Sequence, residues 1–268
     1  MLVGYLPAGF PTVDGSIAAL HAMVDAGVDV IEVGLPYSDP VMDGPTIQRA
    51  GEIALDGGTR TRDVLATVTA VAARGVPVLV MTYWNPVERY GVDRFARDLR
   101  DAGGAGLITT DLPPDDDAGW IAASDDAGLD RVFLVSPSST DARIGVVAAA
   151  CRGFLYATAV MGVTGARDEG SAAAPLLVSR VRAVTGLPVG VGVGVSNGAQ
   201  AAAVAGFADA VIVGSAFVRR LLDADSLAGG VAGVGRLAVE LAEGVRSARA
   251  DPMATPGTPP ALSTVGEG

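Results

Sequence analysis

The chain has 268 residues, half of them apolar, and a formal net charge of −11. That length is close to the roughly 250 residues of one (β/α)8 barrel, and the apolar share can offset the entropy of ordering it. The acidic balance argues against a generic nucleic-acid or anionic-membrane binder, which carries the opposite sign. No apolar run reaches the ~18–20 unbroken residues of a membrane span. No positive region precedes Leu2-Val3-Gly4-Tyr5-Leu6, so a cytoplasmic protein without a signal peptide is expected.

The elements repeat one unit: a helical stretch, a glycine, then a short run rich in Val, Ile or Leu. Leu2–Leu6 is the first strand. Between Ser16 and Ala26, Ile17, Leu20, Met23 and Val24 share one helical face, with Ser16 or Asp14 as the cap. Gly27, Gly75, Gly104, Gly128, Gly153, Gly186 and Gly206 fit helix ends, where positive φ suits glycine. The strands after them are expected at Val28–Gly34, Val78–Thr82, Ala105–Thr109, Arg131–Val135, Phe154–Ala157, Pro188–Gly192 and Ala210–Gly214. Most are continuous apolar runs, as in a parallel sheet buried on both faces. Eight strands alternating with helices predict a single-domain (β/α)8 TIM barrel over residues 1–249. An open doubly wound sheet is the competing architecture, but it places its glycine-rich turn after the first strand. The last helix is expected over Leu227–Arg249, and residues 250–268, rich in Pro, Thr, Gly and Ser, read as a disordered tail.

Absences narrow the chemistry. There is no lysine, one histidine (His21) and one cysteine (Cys151). A Schiff-base lysine, a pyridoxal-phosphate anchor and a P-loop lysine are therefore excluded within this chain, as is a zinc site of the usual His/Cys type. A carboxylate-only Mg²⁺ site stays open. His21 and Cys151 read as structural, and a lone thiol fits a reducing compartment. Catalysis is left mainly to Asp, Glu, Tyr, Ser and Thr.

Three glycine segments follow the sixth to eighth strands: Gly162-Val163-Thr164-Gly165, Gly192-Val193-Gly194-Val195-Ser196 and Gly214-Ser215-Ala216. At the end of a barrel, such loops and helix N-termini can hold a phosphate through backbone N–H groups without lysine. They can equally be tight turns. Glu32 lies inside the apolar strand Val30-Ile31-Glu32-Val33-Gly34, on the face of Val30 and Gly34. A carboxyl buried there should rise in pKa and could act as a general acid/base, unless it pairs structurally with an Arg or backbone donors. Asp43 follows in the turn-rich Pro40-Val41-Met42-Asp43-Gly44-Pro45, where a loop Asp is more often a turn-former.

The stretch Ile31-Glu32-Val33-Gly34-Leu35-Pro36-Tyr37-Ser38-Asp39-Pro40-Val41-Met42-Asp43-Gly44-Pro45-Thr46-Ile47-Gln48 resembles the signature of the tryptophan synthase α subunit family. Pro7-Ala8-Gly9-Phe10-Pro11, Met81-Thr82-Tyr83-Trp84-Asn85-Pro86, Thr110-Asp111-Leu112-Pro113 and Met161-Gly162-Val163-Thr164-Gly165-Ala166 agree with it, over about Leu2 to Arg249. The resemblance implies a lyase that cleaves indole-3-glycerol phosphate to indole and glyceraldehyde 3-phosphate. It implies Glu32 and Asp43 as the catalytic carboxylates and Tyr156 as a tyrosine near the active centre. It places Thr164 and Gly165 in a mobile loop and Gly165, Gly194, Gly214 and Ser215 at the phosphate. Tyr5, Met81 and Leu134 become walls of the indole pocket. No cofactor is implied in this chain; pyridoxal phosphate is expected in a β subunit that completes an α2β2 tetramer and receives the indole. Interface candidates are Pro36, Ser38, Asp39, Asn85, Pro86 and Asp111–Pro114, Pro113 among them.

Two departures stand out. The resemblance implies a short helix before strand one, which this sequence does not show; either the start is called too late, the favoured reading, or the barrel floor is uncovered. Val160 also stands where many relatives carry Arg. A silent phosphosugar-binding barrel and another phosphate-barrel enzyme, such as an isomerase, are the competing functions. A lysine-dependent indole-glycerol-phosphate synthase is excluded by composition.

Overall fold

Strands and helices alternate along the chain in the computed structural model, which describes residues 1–116, 119–158 and 167–250. The order is β1 (Leu2–Pro7), α1 (Val13–Asp25), β2 (Val30–Gly34), α2 (Pro45–Asp56), α3 (Thr61–Ala72), β3 (Val78–Thr82), α4 (Trp84–Tyr90), α5 (Val92–Asp101), β4 (Gly106–Thr109) and α6 (Trp120–Ala127). It continues with β5 (Asp130–Val132), β6 (Leu134–Val135), α7 (Asp141–Ala150), β7 (Leu155–Thr158), α8 (Arg167–Arg182), β8 (Val189–Gly192), α9 (Gly198–Ala205), β9 (Ala210–Val213), α10 (Ser215–Leu222) and α11 (Leu227–Ala250). The expected tail lies outside the described residues apart from Ala250, which ends α11. No helix among the described residues is long and apolar enough to cross a membrane.

The strands form one parallel sheet in the order β5-β4-β3-β2-β1-β9-β8-β7-β6. Its two edges, β5 and β6, are consecutive pieces of chain separated by Phe133 alone, so the sheet returns on itself as a (β/α)8 barrel. The expected strand Arg131–Val135 is this interrupted one. At Phe133 the ladder changes partner: its N–H meets Cys151 Sγ at 3.4 Å and its carbonyl accepts from Tyr156 N at 3.2 Å. Cys151 is buried there, with its thiol pushed up to about 11 by desolvation.

Alternation along the strands sorts their side chains into two cores. Leu2, Leu6, Ile31, Val33, Val80, Leu107 and their equivalents face outward and pack under the helices. Val3, Leu79, Ile108, Val132, Phe154, Tyr156, Ala210 and Ile212 face inward and fill the barrel, with Val30, Met81 and Leu134 against them. Glu32 shares the inner face with Val30 and Gly34, in register with Tyr5 on β1 and Leu79 on β3.

Local signals were shifted in places. The first helix begins at Val13, not near Ser16, because Thr12 caps it by accepting from Gly15 N at 3.0 Å. Ser16 is fully buried and instead accepts from Gly9 N at 3.1 Å. Gly27, Gly75, Gly128 and Gly153 take positive φ, whereas Gly103 takes it in place of Gly104, and Gly186 and Gly206 do not.

Candidate active site

The inner wall ends in a group of acids and tyrosines at the C-terminal rim of the strands. Glu32 is 0% exposed, and neither carboxylate oxygen has a hydrogen-bond partner. Among the described residues no Arg or backbone donor pairs with it, so the structural pairing is not seen there. Desolvation alone pushes its pKa up to about 8, so near neutral pH it holds a proton it can give away.

Two glycines make room around it. A Cβ on Gly34 would come within 2.4 Å of the Tyr5 hydroxyl, so Gly34 is bare because Tyr5 lies across it. A Cβ on Gly192 would come within 2.7 Å of the Tyr156 hydroxyl. Gly192, grouped with the phosphate segments by its sequence context, thus serves to admit Tyr156. Tyr5 and Tyr156 are both held far above the ordinary tyrosine range, first by burial and then by the charges of Glu32 and Asp43. That mutual influence places all four groups in one chamber. Met81, beside Gly34 and Ile108, and Leu134, beside Tyr156, line the same wall.

Asp43 reaches this chamber from the loop after β2. Asp43 N donates to Pro40 O at 3.1 Å, and Gln48 Nε2 donates to Asp43 O at 2.9 Å, folding the turn back. Pro45 opens α2, where its missing N–H costs nothing. Burial pushes the Asp43 carboxyl up to about 6, and a hydrogen bond from the Tyr83 hydroxyl opposes that rise. A narrow cleft lined by Tyr5, Pro7, Leu35, Tyr37, Asp43 and Gln48 opens beside it. In the sequence Tyr83 is one residue of the Met81-Thr82-Tyr83-Trp84-Asn85-Pro86 motif. No local signal singles it out, because its contact is with the loop that carries Asp43.

The expected phosphate cup divides. Thr164, Gly165 and Val160 lie outside the described residues. Gly194 has φ +74° just past β8, but the start of α9 is occupied by the chain itself. Asn197 accepts from Gln200 N at 2.9 Å, Gln200 from Ser196 N at 2.8 Å, and Glu240 from Gly198 N at 2.9 Å. α10 differs: Gly214 is its N-cap, Ser215 its first residue, and no side chain caps it. A Cβ on Gly214 would meet the Tyr5 ring at 3.1 Å, so this helix end adjoins the chamber. A helix N-terminus of this kind attracts an anion.

The interface candidates sit on the same rim. Ser38, Asp39 and Asn85 are exposed, and Pro36, Pro86 and Pro113 half-buried. Val41 and Met42, 82% and 58% exposed, add an apolar surface to the Asp43 loop. Among the described residues no group of three or more His, Cys, Asp or Glu is placed to hold a metal.

A parallel barrel with a desolvated carboxyl on its wall, a second acid on the following loop and an open helix end at the rim is the layout of a (β/α)8-barrel protein with a candidate enzyme site at its C-terminal face. The family profile described as tryptophan synthase alpha chain matches residues 1–245. The chain is 68% identical over 247 residues to the tryptophan synthase alpha chain of Salinispora arenicola, covering 92% of each chain, and 60% identical over 250 residues to that of Thermobifida fusca, covering 92% of this chain and 93% of the relative. It also matches a structure of Mycobacterium tuberculosis tryptophan synthase with TM-score 0.85 and 57% identity, over 91% of this chain and 92% of that one. The chain belongs to the tryptophan synthase alpha chain family. It is a lyase of tryptophan biosynthesis that cleaves indole-3-glycerol phosphate to indole and glyceraldehyde 3-phosphate.

Proposed function

We propose that Glu32 and Asp43 divide the chemistry of this cleavage between them. The observation that carries the reading is the Glu32 carboxyl, dry and unpartnered on the inner wall. Carbon–carbon cleavage needs an electron sink, and this chain has no lysine to make a Schiff base. The indole ring can serve. Protonated Glu32 donates to ring C3, and the ring becomes an iminium. The resulting Glu32 carboxylate then takes the proton of the hydroxyl on the carbon attached to C3. That C–O⁻ collapses to the aldehyde, the bond to C3 breaks, and its electron pair returns to the ring. Indole and glyceraldehyde 3-phosphate leave, and Glu32 is again protonated. Asp43, ionised, accepts a hydrogen bond from the indole N–H and stabilises the positive charge while it lasts.

Tyr5, Tyr156, Met81 and Leu134 supply the walls of the pocket, and the phosphate sits at Gly214 and Ser215, with Gly194 and Gly165 completing its seat. The glycine residues bind it by backbone N–H groups, in keeping with the absence of lysine. No cofactor takes part in this chain's step. The partner is a pyridoxal-phosphate β subunit in an α2β2 tetramer in the cytoplasm, met through Pro36, Ser38, Asp39, Asn85 and Pro113; the exposed Val41 and Met42 on the same rim favour this face. Indole release from indole-3-glycerol phosphate by Glu32→Gln and Asp43→Asn, with and without the β subunit, tests the whole reading. Both variants lose turnover and Glu32→Gln still binds a phosphate ligand. Wild-type turnover in either refutes its assigned role, and no change of rate on adding the β subunit refutes the coupling.

A further inference from the structure

We propose that Thr110 is a specificity-determining residue: its hydroxyl, on the inner wall at the indole end of the chamber, lets the enzyme accept indoles that carry a hydroxyl on the benzo ring. This rests on the indole pocket proposed above.

The buried side-chain polar atoms that lack a hydrogen-bond partner among the described residues are both Glu32 carboxylate oxygens, Thr109 Oγ1, Thr110 Oγ1 and Trp120 Nε1. Trp120, at the start of α6, packs in the outer core, and Thr109 alternates onto the side of Leu107 in that same core. Thr110 is the residue that follows β4. Its N–H donates to Thr82 O at 3.2 Å, so the pairing with β3 runs one step past the strand end. That extends the alternation and puts Thr110 on the inner face with Ile108. Glu32 and Thr110 are thus the inward-facing groups of this set. The cleavage chemistry gives Glu32 a task and leaves the Thr110 hydroxyl without one.

The place of β4 in the barrel decides what that hydroxyl meets. In the strand order, β3, β2 and β1 separate β4 from β9 on one side. On the other side the interrupted strand β5/β6, then β7 and β8, separate them. β4 therefore stands across the barrel from Gly214, where α10 offers its uncapped start to the phosphate. Glu32, on β2, lies midway around the wall between them. A substrate anchored by its phosphate at β9, with ring C3 at Glu32 and ring nitrogen at Asp43, turns its benzo ring toward β4, between Met81 on β3 and Leu134 on β6. The benzo ring of indole offers only C–H bonds, so it leaves a buried hydroxyl unsatisfied, which is unfavourable. A hydroxyl on that ring supplies the missing partner. The threonine oxygen both donates and accepts, so it can pair with a phenolic hydroxyl in either sense.

The test is the reverse reaction, condensation of ring-substituted indoles with glyceraldehyde 3-phosphate. Ring C3 attacks the aldehyde carbon, the aldehyde oxygen takes the Glu32 proton, and the C3 proton returns to Glu32. The 4-, 5-, 6- and 7-hydroxyindoles are compared with indole, and the methylindole substituted at the same position controls for size. The readout is kcat/KM for each substituted indole divided by that for indole, so any change common to both cancels. Thr110→Val removes the hydroxyl and keeps the shape. It is expected to lower the hydroxyindole ratio by about tenfold at one or more ring positions, the scale of one hydrogen bond, while the methylindole ratio there does not fall. Thr110→Ala takes its place if the valine variant folds poorly, and Thr110→Ser, which keeps a hydroxyl, should keep the wild-type ratio. Equal ratios in wild type and the hydroxyl-free variants at every ring position overturn the proposal, as does a methylindole ratio that falls in step with the hydroxyindole one. If the wild type does not condense indole itself, the failure lies in the pocket reading instead.

Discussion

Glu32 and Asp43 are the same functional group in two different surroundings. Glu32 is carried by a strand of the barrel wall, among inward-facing apolar side chains, and no donor among the described residues reaches it. Asp43 is carried by a loop whose neighbours Val41 and Met42 face solvent, and a tyrosine reaches it. The wall therefore keeps its carboxyl protonated at neutral pH, while the loop lets its carboxylate ionise. In the proposed reading, acid and base are separated by where each residue enters the chamber.

The largest expected effect is on turnover. Glu32→Gln removes the proton shuttle and should lower indole release by about 10²–10⁴-fold, and Asp43→Asn should lower it by about 10²–10³-fold. Steady-state rates at pH 7 would show whether the two roles differ in this order. Next is the pH profile of kcat for the wild type. The Asp43 pKa of about 6 and the Glu32 pKa of about 8 predict a bell, falling below the first as Asp43 is protonated and above the second as Glu32 loses its proton. A profile that stays flat through pH 8 to 9 would contradict the acid role of Glu32.

The same carboxyl acts on stability. Glu32 has its folded pKa raised, from 4.5 to about 8, so the unfolded chain releases that proton first as pH rises. The folded state therefore loses stability through that window, by at most about 1.4 kcal/mol per pH unit, and the loss levels off above pH 8. Glu32→Gln removes this slope, so denaturant unfolding of the variant should be less steep in pH than that of the wild type. The smallest effect separates two glycines. Gly34→Ala drives a Cβ into Tyr5 and should destabilise by about 1–3 kcal/mol. Gly44→Ala, with nothing within 4 Å, should stay within about 0.5 kcal/mol. Equal melting temperatures for the two variants would show that the inner wall yields more than its packing suggests.

Much of this was legible in the residue order. The alternation of apolar runs and helical stretches is local, and it marked every strand to within two residues. Glu32 stood out because a lone acid in Val30-Ile31-Glu32-Val33 is costly wherever that strand is buried. Asp43 was identified only through the longer motif around it, because nothing local separates a turn-forming Asp from one aimed into a barrel. Tyr83 and the tasks of Gly34 and Gly192 were not visible as such. Each depends on a neighbour from another strand: Tyr83 on the Asp43 loop, Gly34 on Tyr5, Gly192 on Tyr156. The late glycines illustrate the same limit. Gly194 and Gly214 look alike in sequence, yet α9 is capped by Asn197, Gln200 and Glu240, and α10 has no side-chain cap.

Composition and period by themselves pointed to the parallel barrel that this chain builds, and left its chemistry mainly to Asp, Glu, Tyr, Ser and Thr. These are properties of local spacing and of which side chains exist at all. Tertiary structure decided the burial that raises the pKa of those carboxylates, the uncapped start of α10 and the tyrosine hydroxyl that meets the Asp43 loop at Met42. Those depend on dielectric surroundings and on hydrogen bonds between residues as far apart as Gly198 and Glu240, which come together only when the sheet closes.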